Sequence, residues 1–466
     1  MQPDLDLREL LQTALTRAID FRSSLAGRVQ RPFKTYDEMR GAFDGPLPEY
    51  GEPGQEVISR LADIAQSGLS VMAGPRFFGW VIGATHPVGV AADWLTSAWG
   101  QNTGSHLATP AAATVEEAAA KWLLELFDLP RHSSVGFVTG ATAAGFVCLA
   151  AARHRVLEQV GWDVEGQGLF GAPPIHVLLG DDAHTTIFAA LKFLGLGFER
   201  VHRIATDEAG RILPDAFERK LAEVDGPVIA IAQAGQINTG AFDPFAKLAA
   251  MTHERGGWLH VDCAFGLWAR ACPDRAHLAV GLDEADSWSV DGHKWLQTPH
   301  DSGYAIVRYP EAHSRAMTAE ASYLPQLEAD HRNPSHFVPE LSRRARGFTT
   351  WAMIRHLGRA GLADMVSRHC RIARNMAARL AAQPGIEILN EIELNQVILR
   401  FGDSDELTKA VIERVQQDGT CFVGGARWRD RWVMRISVIS WPTTDLDGDM
   451  SADAIAKAWG DVRSTA

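Results

Sequence analysis

Ser289-Val-Asp-Gly-His-Lys-Trp-Leu296 is the stretch on which the reading of this chain turns. The run 285–290 before it is small and apolar, the pattern of a buried strand, and Gly292 lets the backbone turn sharply. A lysine placed after such a turn, behind a histidine, is poorly explained by structure alone. A lysine that attacks a carbonyl needs a partly desolvated setting on a rigid support, which keeps its amine nucleophilic. Lys294 is therefore a candidate covalent anchor, provided that partners for a bound carbonyl compound occur elsewhere. For a lone lysine, a solvated surface position is the competing explanation.

Three other stretches supply partners. Gly257-Trp-Leu-His-Val-Asp-Cys-Ala-Phe-Gly266 contains a short apolar run ending at Asp262. A carboxylate buried there needs a cationic or hydrogen-bonding partner, because an unpaired buried charge is very costly. A protonated pyridine nitrogen is such a partner, and pyridoxal phosphate enzymes use it to keep the ring an electron sink. Val177-Leu-Leu-Gly-Asp-Asp-Ala-His-Thr-Thr-Ile187 reads as a strand running into a helix, with His184 at the helix start, placed to stack on a planar ring. Alone, His184 would pass as a structural histidine. Val135-Gly-Phe-Val-Thr-Gly-Ala-Thr-Ala-Ala-Gly145 leads into small residues at a helix start, where free amides and the helix dipole favour a phosphate. It has neither a Gly-Lys-Ser/Thr ending nor three spaced glycines, so it is neither a P-loop nor a dinucleotide fingerprint. Four such elements at strand ends outweigh the surface-lysine reading.

The order Thr139-Gly-Ala-Thr142, Asp181-Asp-Ala-His184, His260-Val-Asp-Cys-Ala264 and Gly292-His-Lys-Trp295 resembles the group II pyridoxal-phosphate-dependent amino-acid decarboxylases. That family includes the aromatic-amino-acid, glutamate and diaminobutyrate decarboxylases. The resemblance runs from about residue 75 to about 369, and more faintly to the C-terminus. Pro75-Arg-Phe-Phe78, Gln233-Ala-Gly-Gln-Ile-Asn-Thr-Gly-Ala-Phe-Asp-Pro244 and Leu341-Ser-Arg-Arg-Ala-Arg-Gly347 support it. It implies a fold-type I α/β architecture: a large domain with a mostly parallel sheet covered by helices, and a small C-terminal α+β domain. It also implies pyridoxal 5'-phosphate as cofactor, an amino acid as substrate, and a homodimer with active sites between subunits.

By the same resemblance, Lys294 holds the cofactor as a Schiff base and Asp262 keeps the ring nitrogen protonated. His184 stacks on the ring near the departing carboxylate, and Ala264 leaves room beneath. Amides near Ala141 and Thr142 take the phosphate, and His293 contacts the phosphate or orients a proton transfer. Tyr323, in Ala321-Ser-Tyr-Leu-Pro325, resembles the family's mobile-loop tyrosine and is the candidate proton donor to the product carbon. The polar stretch 319–340 around it reads as a lid, with an ordinary surface loop as the alternative.

The chain departs from the family pattern at Gln236, where threonine is common, and at Asp291, where aromatic decarboxylases carry asparagine. Residues 80–86 are expected to line the substrate pocket but match no subgroup; Phe77, Phe78 and Trp80 suggest an aromatic substrate. Decarboxylation leads, on His184 and Tyr323. A carbon–carbon lyase or aldolase acting on a β-hydroxy amino acid, an aminotransferase and a catalytically silent scaffold stay open, the last opposed by the intact lysine, aspartate and histidine.

Composition fits a globular enzyme. The 466 residues are 46% hydrophobic and 22% charged, enough for a large core and a smaller one. A net charge of −12 argues against nucleic-acid or anionic-membrane partners. No apolar stretch approaches the roughly 18–20 residues that span a bilayer. The acidic, helical N-terminus is unlike a signal peptide. The cysteines at 148, 263, 272, 370 and 421 show no metal or Cys-x-x-Cys spacing, so reduced thiols in the cytoplasm and no metal are expected.

Helical patterns at 7–21 and 55–67 flank a Gly/Pro-rich segment, 41–54, and residues 1–74 read as a helical dimerisation segment. Residues 75–345 alternate helix-like stretches with strand-like runs at 135–138, 176–179, 228–232, 258–261, 287–290 and 303–308, which predicts the cofactor domain with its parallel sheet. Residues 346–466 read as the small domain: a long helix to 382, then strands at 396–401 and 432–440. Arg427-Trp-Arg-Asp-Arg-Trp432 interleaves basic and aromatic residues but sits before a strand, so it predicts a hairpin turn rather than a nucleic-acid surface.

Overall fold

The computed structural model describes residues 6–318 and 331–465. The larger of its two sheets contains β1 (Ser134–Val138), β2 (His176–Gly180), β3 (His202–Ile204), β4 (Val228–Gln233), β5 (Trp258–Asp262), β6 (Ser287–Asp291) and β7 (Gly303–Val307). Their order is β1-β7-β6-β5-β4-β2-β3. The neighbours from β3 to β6 pair in parallel, and β7 runs antiparallel to both β6 and β1.

Strands covered on both faces read as continuous apolar runs. β1, β5, β6 and β7 bury every residue. Alternate residues of β4 supply different cores: Ala230 and Ala232 pack on one face, Ile229 and Ile231 on the other. One face is covered by the Ala-rich helix Ala141–Glu158, which buries Ala144, Val147, Leu149 and Ala151. The other is covered by helices Pro110–Leu126 and Phe245–Glu254. The sheet's topology brings the carboxyl ends of β2, β4, β5 and β6 to one edge, where open α/β sheets place ligands.

The second sheet is antiparallel throughout, with order β10-β11-β9-β8. It contains β8 (Ile386–Ile388), β9 (Gln396–Phe401), β10 (Gly424–Trp428) and β11 (Arg431–Ser437). Helices Asp405–Asp418 and Asp445–Thr465 complete its core around Phe401, Ile436 and Ile455. The helix Gly347–Ala381 serves both cores: Met353 to Cys370 pack with the large one and Ile372 to Leu380 with the small one. Gly358, at φ 60°, breaks its regularity.

The expected strands at 135–138, 176–179, 228–232, 258–261, 287–290, 303–308 and 396–401 lie within a residue or so of those observed. The hairpin at 427–432 is a two-residue turn, with Arg429 and Asp430 at φ 48° and 61°. The short strands β3, β8 and β10 were not anticipated, nor was the helix Tyr36–Phe43, which begins in a Thr35/Glu38 capping box.

Candidate active site

The chain leaves β6 through Gly292, where a Cβ would overlap the hydroxyls of Ser302 and Tyr304. This turn folds Lys294 back over the strand end, with Nζ 3.0 Å from Oδ2 of Asp291. Oδ1 of Asp291 accepts the Ala141 amide at 2.6 Å, at the start of the helix Ala141–Glu158. One carboxylate thus balances a buried cation and a helix N-terminus. Burial opposes its ionisation, but Lys294, His293 and the Ala141 amide together hold the carboxyl below its ordinary value. The Phe265 ring centre lies 5.5 Å from Nζ, a cation–π contact.

Asp262 ends β5 and is buried. Its Oδ1 receives only long hydrogen bonds, 3.4 Å from the Ala264 amide and 3.5 Å from the Ser289 hydroxyl. Among the described residues no hydrogen bond reaches Oδ2. Burial raises the carboxyl's pKa, while His184 and Lys294 pull it down. A buried, lightly bonded carboxylate in a cavity wall suits a cationic N–H partner. Behind it, Trp258 Nε1 donates to Ser287 Oγ at 2.9 Å, and His260 bridges Ser287 (2.9 Å) and Ser289 (3.4 Å). Burial pushes His260 down to about 3, so it is a neutral bridge that fixes Ser289 beneath Asp262.

His184 caps the helix Thr185–Phe193: its Nδ1 accepts the Thr186 amide at 3.4 Å and lies 2.8 Å from the Thr186 hydroxyl. Its own backbone N–H donates to Gln233 Oε1 at 3.2 Å. With Nδ1 engaged as an acceptor, the ring proton sits on Nε2. Burial, opposed by Asp262, lowers the His184 pKa and keeps the ring neutral at pH 7. His293 donates from Nδ1 to the Ser302 carbonyl at 3.1 Å and stacks 4.1 Å from His300; burial, opposed by Asp291, pushes it down to about 4.

Lys294, Asp262, His184, His293, Ala264, Ala141 and Thr142 all line one cavity, and Tyr323 lies outside the described residues. Within that arrangement the Ala141 amide is taken by Asp291, whereas those of Thr142 and Ala143 have no acceptor among the described residues. Of the two residues expected to supply amides, Thr142 thus keeps an open N–H at the cavity wall. Asp291, Phe265, Ile237, Thr186 and Gln233 are also in the wall; Asp291 had been marked as a departure from the family pattern, but not as the lysine's partner. For Asp291, the available signal was its spacing of three from the lysine across a glycine turn.

One expectation about the pocket is corrected, and one departure from the family pattern lies away from it. Gln236 does not face the cavity, since its Oε1 accepts the amides of Asn238 and Thr239 and closes its own turn. Residues 80–86, expected as pocket wall, do not line this cavity, and neither do Phe77 and Phe78. Phe78 is buried in the small-sheet core, and Phe77 stacks on Phe422 at 4.7 Å. Trp80 lies against Phe422 and is 52% exposed. Gly83, at φ 73°, passes behind the lysine turn, where a Cβ would overlap the His293 and Lys294 carbonyls.

The family profile described as the pyridoxal-dependent decarboxylase conserved domain matches residues 37–401. The aromatic-L-amino-acid decarboxylase of Bacillus atrophaeus is 26% identical, over 94% of this chain and 92% of its own length. The crystal structure of Oryza sativa TDC with PLP and tryptamine superposes with a TM-score of 0.91 at 22% identity, covering 99% of both chains. Mouse CSAD gives 0.90 at 22% identity, covering 98% of this chain and 99% of its own.

Proposed function

The chain belongs to the pyridoxal-dependent decarboxylases, and on that premise we propose that it removes the carboxyl group of an aromatic L-amino acid, giving the amine and carbon dioxide. It is a pyridoxal-phosphate-dependent amino-acid decarboxylase; the aromatic side chain is the finer part of the proposal. The observation that carries it is the convergence of Lys294, Asp262 and His184 on one cavity.

The residues fit the cofactor. Lys294 would bond its carbonyl carbon, and the lightly bonded Asp262 would face its ring nitrogen. The open amides of Thr142 and Ala143 would receive its phosphate. When bound, the cofactor supplies the electron sink for the pair left at the α-carbon as the carboxylate departs.

The chain's own groups do the rest. His184, neutral and with its proton on Nε2, offers a hydrogen bond to the substrate carboxylate and a flat face to the ring. Ala264 leaves space on the cavity floor, and Phe265 and Ile237 make part of the wall apolar, which excludes water. Asp291 holds the Lys294 ammonium in place. Tyr323 carries the proton-donor role that the family resemblance gives it.

The test is a panel of amino acids with carbon dioxide and amine both measured. Equal amounts of the two from phenylalanine, tyrosine or tryptophan support the proposal. Carbon dioxide from acidic amino acids alone removes the aromatic part. Glycine and an aldehyde from β-hydroxy amino acids, or a keto acid, without carbon dioxide, overturn the decarboxylase.

Homodimerisation belongs to the same proposal. The helices Leu7–Ser24, Tyr36–Phe43 and Gly54–Ala65 bury no residue, and Leu7, Leu11, Ile19 and Leu61 are more than half exposed. A second copy is the proposed cover for this apolar surface. A cytoplasmic setting is supported by five buried cysteines, all unpaired.

A further inference from the structure

Gln297 follows the reactive lysine by three residues and has the character of a solvated turn residue, yet none of its surface is exposed. Its backbone is left-handed, at φ 57°. A non-glycine residue keeps that conformation inside a fold when its surroundings over-determine it. Here they do. The side-chain Nε2 donates to the Lys294 carbonyl at 2.7 Å and to the Ile439 carbonyl at 2.7 Å. The side-chain Oε1 accepts the Ala84 amide at 2.8 Å and the Trp441 amide at 3.4 Å. Two carbonyls on one end and two N–H groups on the other fix the orientation of the amide unambiguously and use its full hydrogen-bonding capacity. The backbone adds two more links: the His86 amide donates to the Gln297 carbonyl at 2.8 Å, and the Gln297 amide donates to the Lys294 carbonyl at 3.3 Å.

The partners come from three separate parts of the chain. Ala84 and His86 belong to the segment that runs behind the lysine turn, where Gly83 already presses on the His293 and Lys294 carbonyls. Arg22, on the first helix, reaches the same segment through the Thr85 carbonyl at 2.6 Å. Ile439 and Trp441 follow β11 of the small sheet. Gln297 is therefore the point where residues 84–86 and the chain that follows the small sheet both grip the peptide that carries Lys294.

We propose that Gln297 is the positioning residue of the active-site lysine: by holding the Lys294 carbonyl from one side, it sets the direction in which that side chain enters the cavity. The proposal rests on Lys294 being the cofactor-bearing residue. A side chain tethered through four bonds has its backbone carbonyl fixed to within hydrogen-bond tolerance, and catalytic geometry lost by about 1 Å can cost on the order of a hundredfold in rate. No contact between Gln297 and substrate or cofactor is involved. Its influence passes only through the lysine peptide.

The experiment uses the holoenzyme and three variants. Gln297→Met has nearly the same length but neither donates nor accepts in this network. Gln297→Glu keeps the acceptor for Ala84 and Trp441 and loses the paired donors to the two carbonyls. Ile455→Ala opens a cavity in the small-sheet core, away from the lysine turn, and calibrates plain loss of stability. The readouts are melting temperature, the visible circular dichroism of the bound cofactor per mole bound, and kcat and KM measured separately.

The expected result for Gln297→Met is a kcat about tenfold lower with KM within about threefold, and cofactor dichroism cut by about half. Gln297→Glu is expected to fall between it and wild type, recovering towards wild type as the pH is lowered and the new carboxyl regains a proton. Ile455→Ala, with comparable loss of melting temperature, keeps both signals. If the Met variant does not fold, the Glu variant and its pH dependence decide alone. Wild-type dichroism and kcat in the Gln297 variants that fold, at a melting temperature lowered as in Ile455→Ala, overturn the proposal and leave Gln297 a structural residue. A visible band that survives Lys294→Ala would instead remove the reading of the lysine on which the proposal stands.

Discussion

Asp291→Asn deletes one buried charge while keeping the shape of the side chain and an oxygen for the Ala141 amide. What it removes is the partner of Lys294, 3.0 Å away, in a pair whose side chains are only 12% and 6% exposed. At an effective dielectric of about 20, opposite charges at that separation attract by about 5.5 kcal/mol. Desolvation of both groups offsets part of this. Removing one partner of a buried pair leaves the other uncompensated, at a cost of about 3–5 kcal/mol. The expected loss of unfolding free energy is therefore about 3 kcal/mol at pH 7. The assay is urea unfolding of cofactor-free protein for wild type, Asp291→Asn, Lys294→Met and the double variant. Both single variants should lose stability and the double variant less than their sum, a coupling of about 2–3 kcal/mol. A pH arm fixes the sign. The Asp291 carboxyl lies below its ordinary value, so its contribution is full above about pH 4 and is lost as the pH falls through the folded-state value. The gap between wild type and Asp291→Asn should close in acid. A coupling below about 0.5 kcal/mol, the range of a solvated surface pair, would refute the reasoning.

Three other outcomes are expected. Gly83→Ala places a Cβ on the His293 and Lys294 carbonyls at a positive φ, so it should lower cofactor content per mole and cost about 2 kcal/mol or more; normal cofactor loading would show that the segment behind the lysine can yield. The His253 pKa is raised, chiefly by its hydrogen bond to Asp286 at 2.9 Å, so this pair's stabilisation is full below about pH 6.5 and is lost as the pH rises through the folded-state value. His253→Gln should then flatten the melting temperature between about pH 6 and 8, and an unchanged slope would count against the pair. Tyr323→Phe should slow amine formation; normal decarboxylation giving amine alone at the wild-type rate would remove Tyr323 as proton donor.

Much of this fold is legible because its central strands are buried on both faces and must be written as unbroken apolar runs. Val228-Ile-Ala-Ile-Ala232 is such a run, and Trp258-Leu-His-Val261 departs from it only at His260, which bridges two buried serines. The strands missed are those without such runs. β3 is His-Arg-Ile at a sheet edge, and the Gly-Gly at the start of β10 imitates a turn. Asp262 was readable because a charge at the end of a buried strand demands a partner, and Lys294 and His184 because each follows such a strand within a few residues. Gln297 was not, nor was the pairing of Asp291 with the lysine, since an acidic residue before a turn and a glutamine after it look solvated. The folding of the lysine turn against residues 84–86 and 439–441 buries Gln297, whereas Asp291 is buried as the last residue of β6. The same contact bears on the reading of residues 80–86 as pocket wall: Gly83 to His86 back the lysine turn, and none of the segment lines the cavity.

The most direct test is borohydride reduction of the holoenzyme followed by peptide mass mapping. A pyridoxyl label is expected on Lys294 alone, with Asp262→Ala reducing the cofactor retained. A label on another lysine, or full labelling of a Lys294→Ala protein, would contradict the assignment of this cavity as the site of decarboxylation.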